Sequence, residues 1–176
     1  RTGHVSRNRA VLAAMTNKQS SEDGTLSEDE INWLLMRAEG GFGIITTAAT
    51  HITQDGQGWK GEMGVWGDHH VPGLTRLATG IRERGAISLA QIFHGGMFAP
   101  ETITGVRPVS ASENPLSKDS DETSRELSYD EIEEIISAFG DAASRCAKAG
   151  FDGVELHGAH GYLICQFLGE KTNRRE

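Results

Sequence analysis

The stretch Gly153-Val154-Glu155-Leu156-His157-Gly158-Ala159-His160 decides the fold. Residues 153–157 form a short apolar run of strand character, and the run ends in a turn that carries two imidazoles. Three other segments, residues 10–15, 43–47 and 86–93, read the same way: short, apolar and β-rich, as strands buried on both faces are. Unusual polar residues follow each of them. They are Thr16-Asn17-Lys18-Gln19, Thr50-His51, His94-Gly95-Gly96 and His157-Gly158-Ala159-His160.

Helical patterns separate the four runs. The first starts at Ser27 with Glu30 three residues on, a capping-box spacing, and places Ile31, Leu34, Leu35 and Ala38 on one face before Gly40-Gly41. In the second, Leu74, Leu77, Ala78 and Ile81 form one stripe, and Gly85 ends it. The third begins at a second capping box, Ser128 to Glu131, and carries Ile132, Ile135, Ile136, Phe139, Ala143 and Cys146 up to Gly150. Strand and helix alternating three times over predicts parallel strands joined by crossovers, an α/β protein. A doubly wound sheet would place its ligand at one switch point, whereas a barrel places chemistry on the loops after successive strands. The polar loops favour a (β/α)8 TIM barrel. Eight strands and about 250 residues are usual for that fold, so residues 1–176 are expected to be the first four β/α units, a single domain incomplete at its C-terminus. Residues 95–126, rich in Pro, Ser and Asp, read as an excursion over the barrel mouth.

Composition narrows the function classes. With 37% hydrophobic and 24% charged residues the chain is of ordinary globular type, and no apolar run reaches the roughly 20 residues a membrane span needs. A net charge of −8 argues against a phosphate-neutralising nucleic-acid surface. Only Cys146 and Cys165 occur, without a CxxC, so neither a disulfide scaffold nor a cysteine-built metal site is expected, and a reducing cytoplasm is the default. The start, Arg1-Thr2-Gly3-His4-Val5-Ser6-Arg7, lacks the apolar core of a signal peptide and an initiator Met, so the chain is expected to begin inside a longer polypeptide.

Gly56-Gln57-Gly58-Trp59-Lys60-Gly61 matches the dinucleotide pattern GxGxxG, but no helical periodicity follows until Leu74, so a surface loop is the better reading. His157, His160 and Tyr162 form the most informative group. Imidazole N–H groups can bond an oxygen that gains negative charge, and a phenol can supply a proton. Two alternatives stand beside this carbonyl clamp: both histidines satisfied within the fold, or Glu155, His157 and His160 as metal ligands in a hydrolase or aldolase barrel. Gln91 is polar in an apolar run, and its amide offers a donor and an acceptor together. Thr16 either donates to a cofactor carbonyl or ends a strand. His94 is ambiguous, and His69-His70 reads as an exposed helix start.

The run Ala149-Gly150-Phe151-Asp152-Gly153-Val154-Glu155-Leu156-His157-Gly158-Ala159-His160-Gly161-Tyr162-Leu163, followed by Gln166-Phe167-Leu168 and Asn173-Arg174-Arg175, resembles the signature of the old yellow enzyme (NADH:flavin oxidoreductase) family. Asn8-Arg9, Met15-Thr16, the 41–47 strand and Gln91-Ile92-Phe93-His94-Gly95-Gly96 fall in the same order, so the resemblance covers nearly the whole chain. It implies an FMN-bearing barrel in which NADH or NADPH reduces the flavin and the flavin reduces an activated alkene. Ala13, Ala14, Met15, Thr16 and Ala48 would line the isoalloxazine, and Gln91 would contact its pyrimidine ring. His157 and His160 would grip the substrate carbonyl, and Tyr162 would be the proton donor. Ala14 stands where relatives commonly have Pro, and Lys18 stands in the substrate-facing position where many have an aromatic residue. The resemblance also implies a missing C-terminal half-barrel that would bring the phosphate-binding loops. A homo-oligomer, or a non-catalytic half-barrel, is compatible with the same residues.

Overall fold

A computed structural model describes residues 3–119 and 121–176. Arg1 and Thr2 of the N-terminal stretch, and Ser120 of the excursion, lie outside the described residues. The chain runs β1 (Val11–Leu12), α1 (Glu28–Glu39), β2 (Ile44–His51), β3 (Met63–Gly64), α2 (Val71–Glu83), β4 (Ile87–Phe93), α3 (Glu101–Thr104), β5 (Val109–Ser110), β6 (Arg125–Glu126), α4 (Tyr129–Ala149), β7 (Gly153–Leu156) and α5 (Leu163–Leu168). The main sheet has the order β1-β2-β4-β7, every neighbouring pair parallel. These are the four expected strands, in chain order, with all their C-terminal ends on one edge.

The expected strand limits shift at two places. β1 keeps only Val11 and Leu12 of the expected 10–15, because Met63 and Gly64 of β3 pair with Thr50 and His51 and take the far end of that side of β2. β2 runs on past the expected Thr47 to His51, since Thr46, Thr47, Thr50 and His51 are buried within the ladder despite their polarity. Threonine is β-branched and suits this place.

Leu34, Ala38, Ile45, Leu74, Leu77, Ala78, Ile81, Ala90, Ile92 and Cys146 make one core between the sheet and α1, α2 and α4. Of the two capping boxes, the one on α4 is complete: Ser128 accepts from Glu131 N, and the Glu131 carboxylate accepts from Ser128 N at 2.7 Å. On α1, Ser27 accepts from Glu30 N, but the Glu30 side chain turns inward to accept from Ser20 and Asn17. Burial raises the pKa of that carboxyl. The α4 stripe does not bury whole. Cys146 is enclosed, while Ile136 stays 57% exposed beside Leu156 and Leu168, because β7 is an edge strand with no strand paired beyond it among the described residues.

Asp152 sets the register of β4 against β7. Its carboxylate accepts from Ser88 N at 2.8 Å and Ser88 Oγ at 3.1 Å, and its own N–H donates to Ser88 O. Ser88 is fully buried, so Asp152→Ala strands two donors at about 1–3 kcal/mol. Thermal melts should place this variant some degrees below wild type, with Asp152→Asn, which keeps an acceptor, lying between the two. Equal melting of all three would remove Asp152 from the register.

Candidate active site

The β4–β7 register places Gln91 directly opposite Glu155, and Gln91 Nε2 donates to Glu155 Oε1 at 2.5 Å. On the other side of β4 the β2 ladder slips between Thr46 and Ala49. The slip frees Thr47 Oγ1 to accept from Gln91 N at 3.1 Å and to donate to Ala48 O at 2.8 Å, while Thr50 Oγ1 also donates to Ala48 O at 3.1 Å. Such irregularities re-aim side chains near functional sites. Ala48 and Gln91 are therefore held side by side by hydroxyls that satisfy the disrupted ladder.

One residue beyond β7, His157 N donates to Ile92 O, and the rings of His157, His160 and Tyr162 converge. Centroids of His157 and His160 lie 5.1 Å apart, and those of His157 and Tyr162 lie 4.9 Å apart. Phe93 meets Tyr162 edge to face at 4.6 Å, and Phe98 closes the other side at 6.2 Å. Nδ1 of His157 accepts from Ala159 N at 3.4 Å, which assigns the ring proton to Nε2 as a free donor. Burial lowers the His157 pKa, with a smaller push from His160, so the ring is neutral near pH 7. Burial likewise raises the Tyr162 pKa, so the phenol keeps its proton. His160 adopts a left-handed conformation, φ 57°, an unfavourable one for a residue with a Cβ.

Ala13, Met15, Thr16 and Lys18 are exposed after β1, and Ala14 is half-buried. β1 and β7 are opposite edges of the sheet, so the segment with Thr16 and Lys18 is separated from the histidines by β2 and β4, and neither residue joins the ring cluster. Lys18 is also left-handed, φ 55°. The buried His70 corrects the expectation of an exposed His69-His70 pair: His69 is exposed, but His70, at the N-cap position of α2, is 3% exposed because its ring packs on Trp66 and against Gly64 of β3, without a side-chain capping bond. His94 is structural. Its Nδ1 accepts from Gly96 N at 3.0 Å, and its carbonyl accepts from Leu163 N. Gly56 ends a helical turn and residues 57–61 form a loop before β3, as the missing helical periodicity predicted, but it is not the expected surface loop: Gly56, Gln57 and Gly61 are buried and only Lys60 of the six is exposed. The metal alternative loses its ligand set, since Glu155 is engaged by Gln91 and no group of three His, Cys, Asp or Glu residues among the described residues could hold an ion.

Sequence reasoning missed the roles of three residues, having read Glu155 only as an alternative metal ligand. Glu155 is the partner of Gln91, Thr47 stabilises the ladder slip, and Gln166 bridges the loops after β4 and β7. Only the Thr-Thr pair inside an apolar run signalled any of this beforehand.

Residues 4–176 match the NADH:flavin oxidoreductase / NADH oxidase family. The chain is 39% identical over 175 residues to a probable NADH-dependent flavin oxidoreductase, YqiG, of Bacillus subtilis (strain 168), covering 99% of this chain and 46% of the relative. It is 41% identical over 169 residues to the NADH:acrylate oxidoreductase of Vibrio harveyi, covering 96% of this chain and 17% of that protein. Among solved structures, the old yellow enzyme homologue from Zymomonas mobilis superposes with a TM-score of 0.91 at 31% identity, covering 99% of this chain and 51% of the other. The chain thus spans about half the length of the Bacillus and Zymomonas relatives, and its four strands are the first four β/α units of a TIM barrel of that kind. By match along nearly its whole length, the chain belongs to the NADH:flavin oxidoreductase / NADH oxidase family, whose members work with FMN and NADH or NADPH.

Proposed function

We propose that this chain forms the substrate-clamping half of an FMN-dependent ene-reductase, with NADH or NADPH as electron donor and an activated alkene as substrate. The observation that carries the reading is the convergence of His157, His160 and Tyr162 at the strand end next to Gln91. The donor set suits FMN. Small residues Ala13 and Ala48 leave room for a flat ring, Thr16 is an exposed hydroxyl, and Gln91 keeps its carbonyl oxygen and second N–H for a pyrimidine edge once Glu155 has taken one N–H. Bound FMN would supply the hydride chemistry that connects NADH or NADPH to an activated alkene.

The chain's own residues then have distinct tasks. His157 Nε2–H and the His160 ring hold the carbonyl oxygen, on which negative charge gathers, so they stabilise the transition state more than the ground state. Tyr162 supplies a proton to the α-carbon, and Phe93 and Phe98 hold its ring. We infer further that the remaining barrel units pack on the open edge of β7, where Ile136, Leu156, Phe167 and Leu168 border an apolar groove of about 390 Å³. An uncovered groove of this kind favours partner packing.

Stopped-flow traces of the flavin-loaded full-length protein separate the two half-reactions. Tyr162→Phe should leave flavin reduction by NAD(P)H unchanged and slow reoxidation by cyclohexenone about 10²- to 10⁴-fold, and a wild-type reoxidation rate would remove Tyr162 from the chemistry. The raised Tyr162 pKa has a clear sign: the protonated donor persists to higher pH, so the alkaline fall of wild-type reoxidation should come above about pH 10. His157→Ala with His160→Ala should slow reoxidation by about 10²-fold or more and weaken binding of simple phenols. Titrating FMN into residues 1–176 alone should show weak binding or none, because the phosphate's usual anchors of positive charge and helix N-termini are expected on the later units. Micromolar binding by the isolated chain would contradict that division of labour.

A further inference from the structure

Gln166 stands on α5, 1% exposed, and its amide is used at both ends. Nε2 donates to Gly161 O at 2.6 Å and to Gly95 O at 3.5 Å, and Oε1 accepts from Met97 N at 3.2 Å. Two carbonyls on one end and an N–H on the other leave only one orientation for the amide. A single side chain therefore ties the loop after β4 to the loop after β7. The sequence makes room for it: Gly96 has φ 60°, and a Cβ there would lie 2.8 Å from Gln166 Nε2. Thr172 Oγ1 in turn donates to Gln166 O, which fixes the start of the following segment to the same point.

The bonded carbonyl belongs to Gly161, which lies between His160 and Tyr162. His160 and Gly161 are both left-handed, φ 57° and 76°. A residue with a Cβ persists in that region only where its surroundings over-determine it. Tyr162 N closes the turn by donating to Ala159 O at 3.2 Å, the Gln166 bond to Gly161 O holds it from outside, and the partner bond to Met97 N brings Phe98 alongside: a Cβ on Gly161 would lie 3.1 Å from the Phe98 ring. We propose that Gln166 is a positioning residue, which locks the His160-Gly161-Tyr162 turn against the Gly95-to-Phe98 loop so that carbonyl clamp and proton donor address one substrate. This rests on the ene-reductase reading above.

Two substitutions test it in the flavin-loaded full-length protein. Gln166→Met keeps the volume and removes all three bonds. Gln166→Glu keeps the acceptor for Met97 N, but as a carboxylate it cannot donate to Gly161 O and regains that donor only when protonated. Misplacement of about an ångström costs on the order of 10²-fold in rate. Gln166→Met should therefore slow reoxidation by cyclohexenone about 10- to 100-fold and weaken phenol binding, with flavin reduction within about twofold of wild type. Gln166→Glu should be impaired at pH 8 and recover toward pH 6, a pH response that wild type lacks. Adding Gln166→Met to Tyr162→Phe should cost less than the product of the two single losses, since the group it positions is gone. Equal slowing of both half-reactions, a Gln166→Glu defect that does not vary with pH, or fully multiplicative losses would reduce Gln166 to a general stabiliser. Should Gln166→Met fail to fold, the pH response of Gln166→Glu decides alone. A wild-type reoxidation rate in Tyr162→Phe sinks the underlying reading, whereas slow Tyr162→Phe with normal Gln166 variants sinks only this proposal.

Discussion

The parallel pairing of β4 with β7 is the constraint on which the candidate site depends. Leu89 through Ile92 face Gly153 through Leu156 in unbroken register, pinned at one end by Asp152 on Ser88 and at the other by His157 N on Ile92 O. Side chains alternate across a strand, so a slip of one residue would send Gln91 and Glu155 to opposite faces and carry His157 away from them. Asp152 matters more than its position suggests. It lies at the far end of the strand from the histidines, yet it fixes where they emerge.

Around this pairing the threonine hydroxyls and the Gln91 amide are satisfied locally, whereas the buried Nδ1 of His51 in β2 has no hydrogen-bond partner among the described residues. The slip in β2 costs ladder bonds, and Thr47 and Thr50 hydroxyls replace them. Gln91 is tied by its backbone to Thr47 and by one amide N–H to Glu155, which leaves its carbonyl oxygen and second N–H outside these bonds. The ring cluster follows a similar logic: burial keeps His157 neutral and Tyr162 protonated, the two states a hydrogen-bond donor and a proton donor need.

Much of this was legible in the sequence, and the reasons differ by element. Strand order and helix faces follow from hydrophobic period, which acts locally, so Leu74, Leu77, Ala78 and Ile81 were identified as one buried stripe. His157, His160 and Tyr162 stand within six residues of one another in the chain, so one strand and one turn bring them together. Gln166 carries no such signal, because its partners Gly95 and Met97 are about seventy residues away and meet it only through the β4–β7 register. The capping spacing at Ser27 likewise predicted a reciprocal bond from Glu30, but the buried Ser20 and the half-buried Asn17 compete for that carboxylate. Long-range polar competition is invisible to local pattern.

A crystal structure of the flavin-loaded full-length protein with a simple phenol bound tests the central claim most directly, since the phenol oxygen stands in for the substrate carbonyl oxygen as negative charge gathers on it. The expected result is that oxygen within about 3 Å of His157 Nε2 and of a His160 ring nitrogen, with the Tyr162 hydroxyl facing the same space. A phenol bound elsewhere, with His157 Nε2 committed to a protein acceptor, would contradict the account.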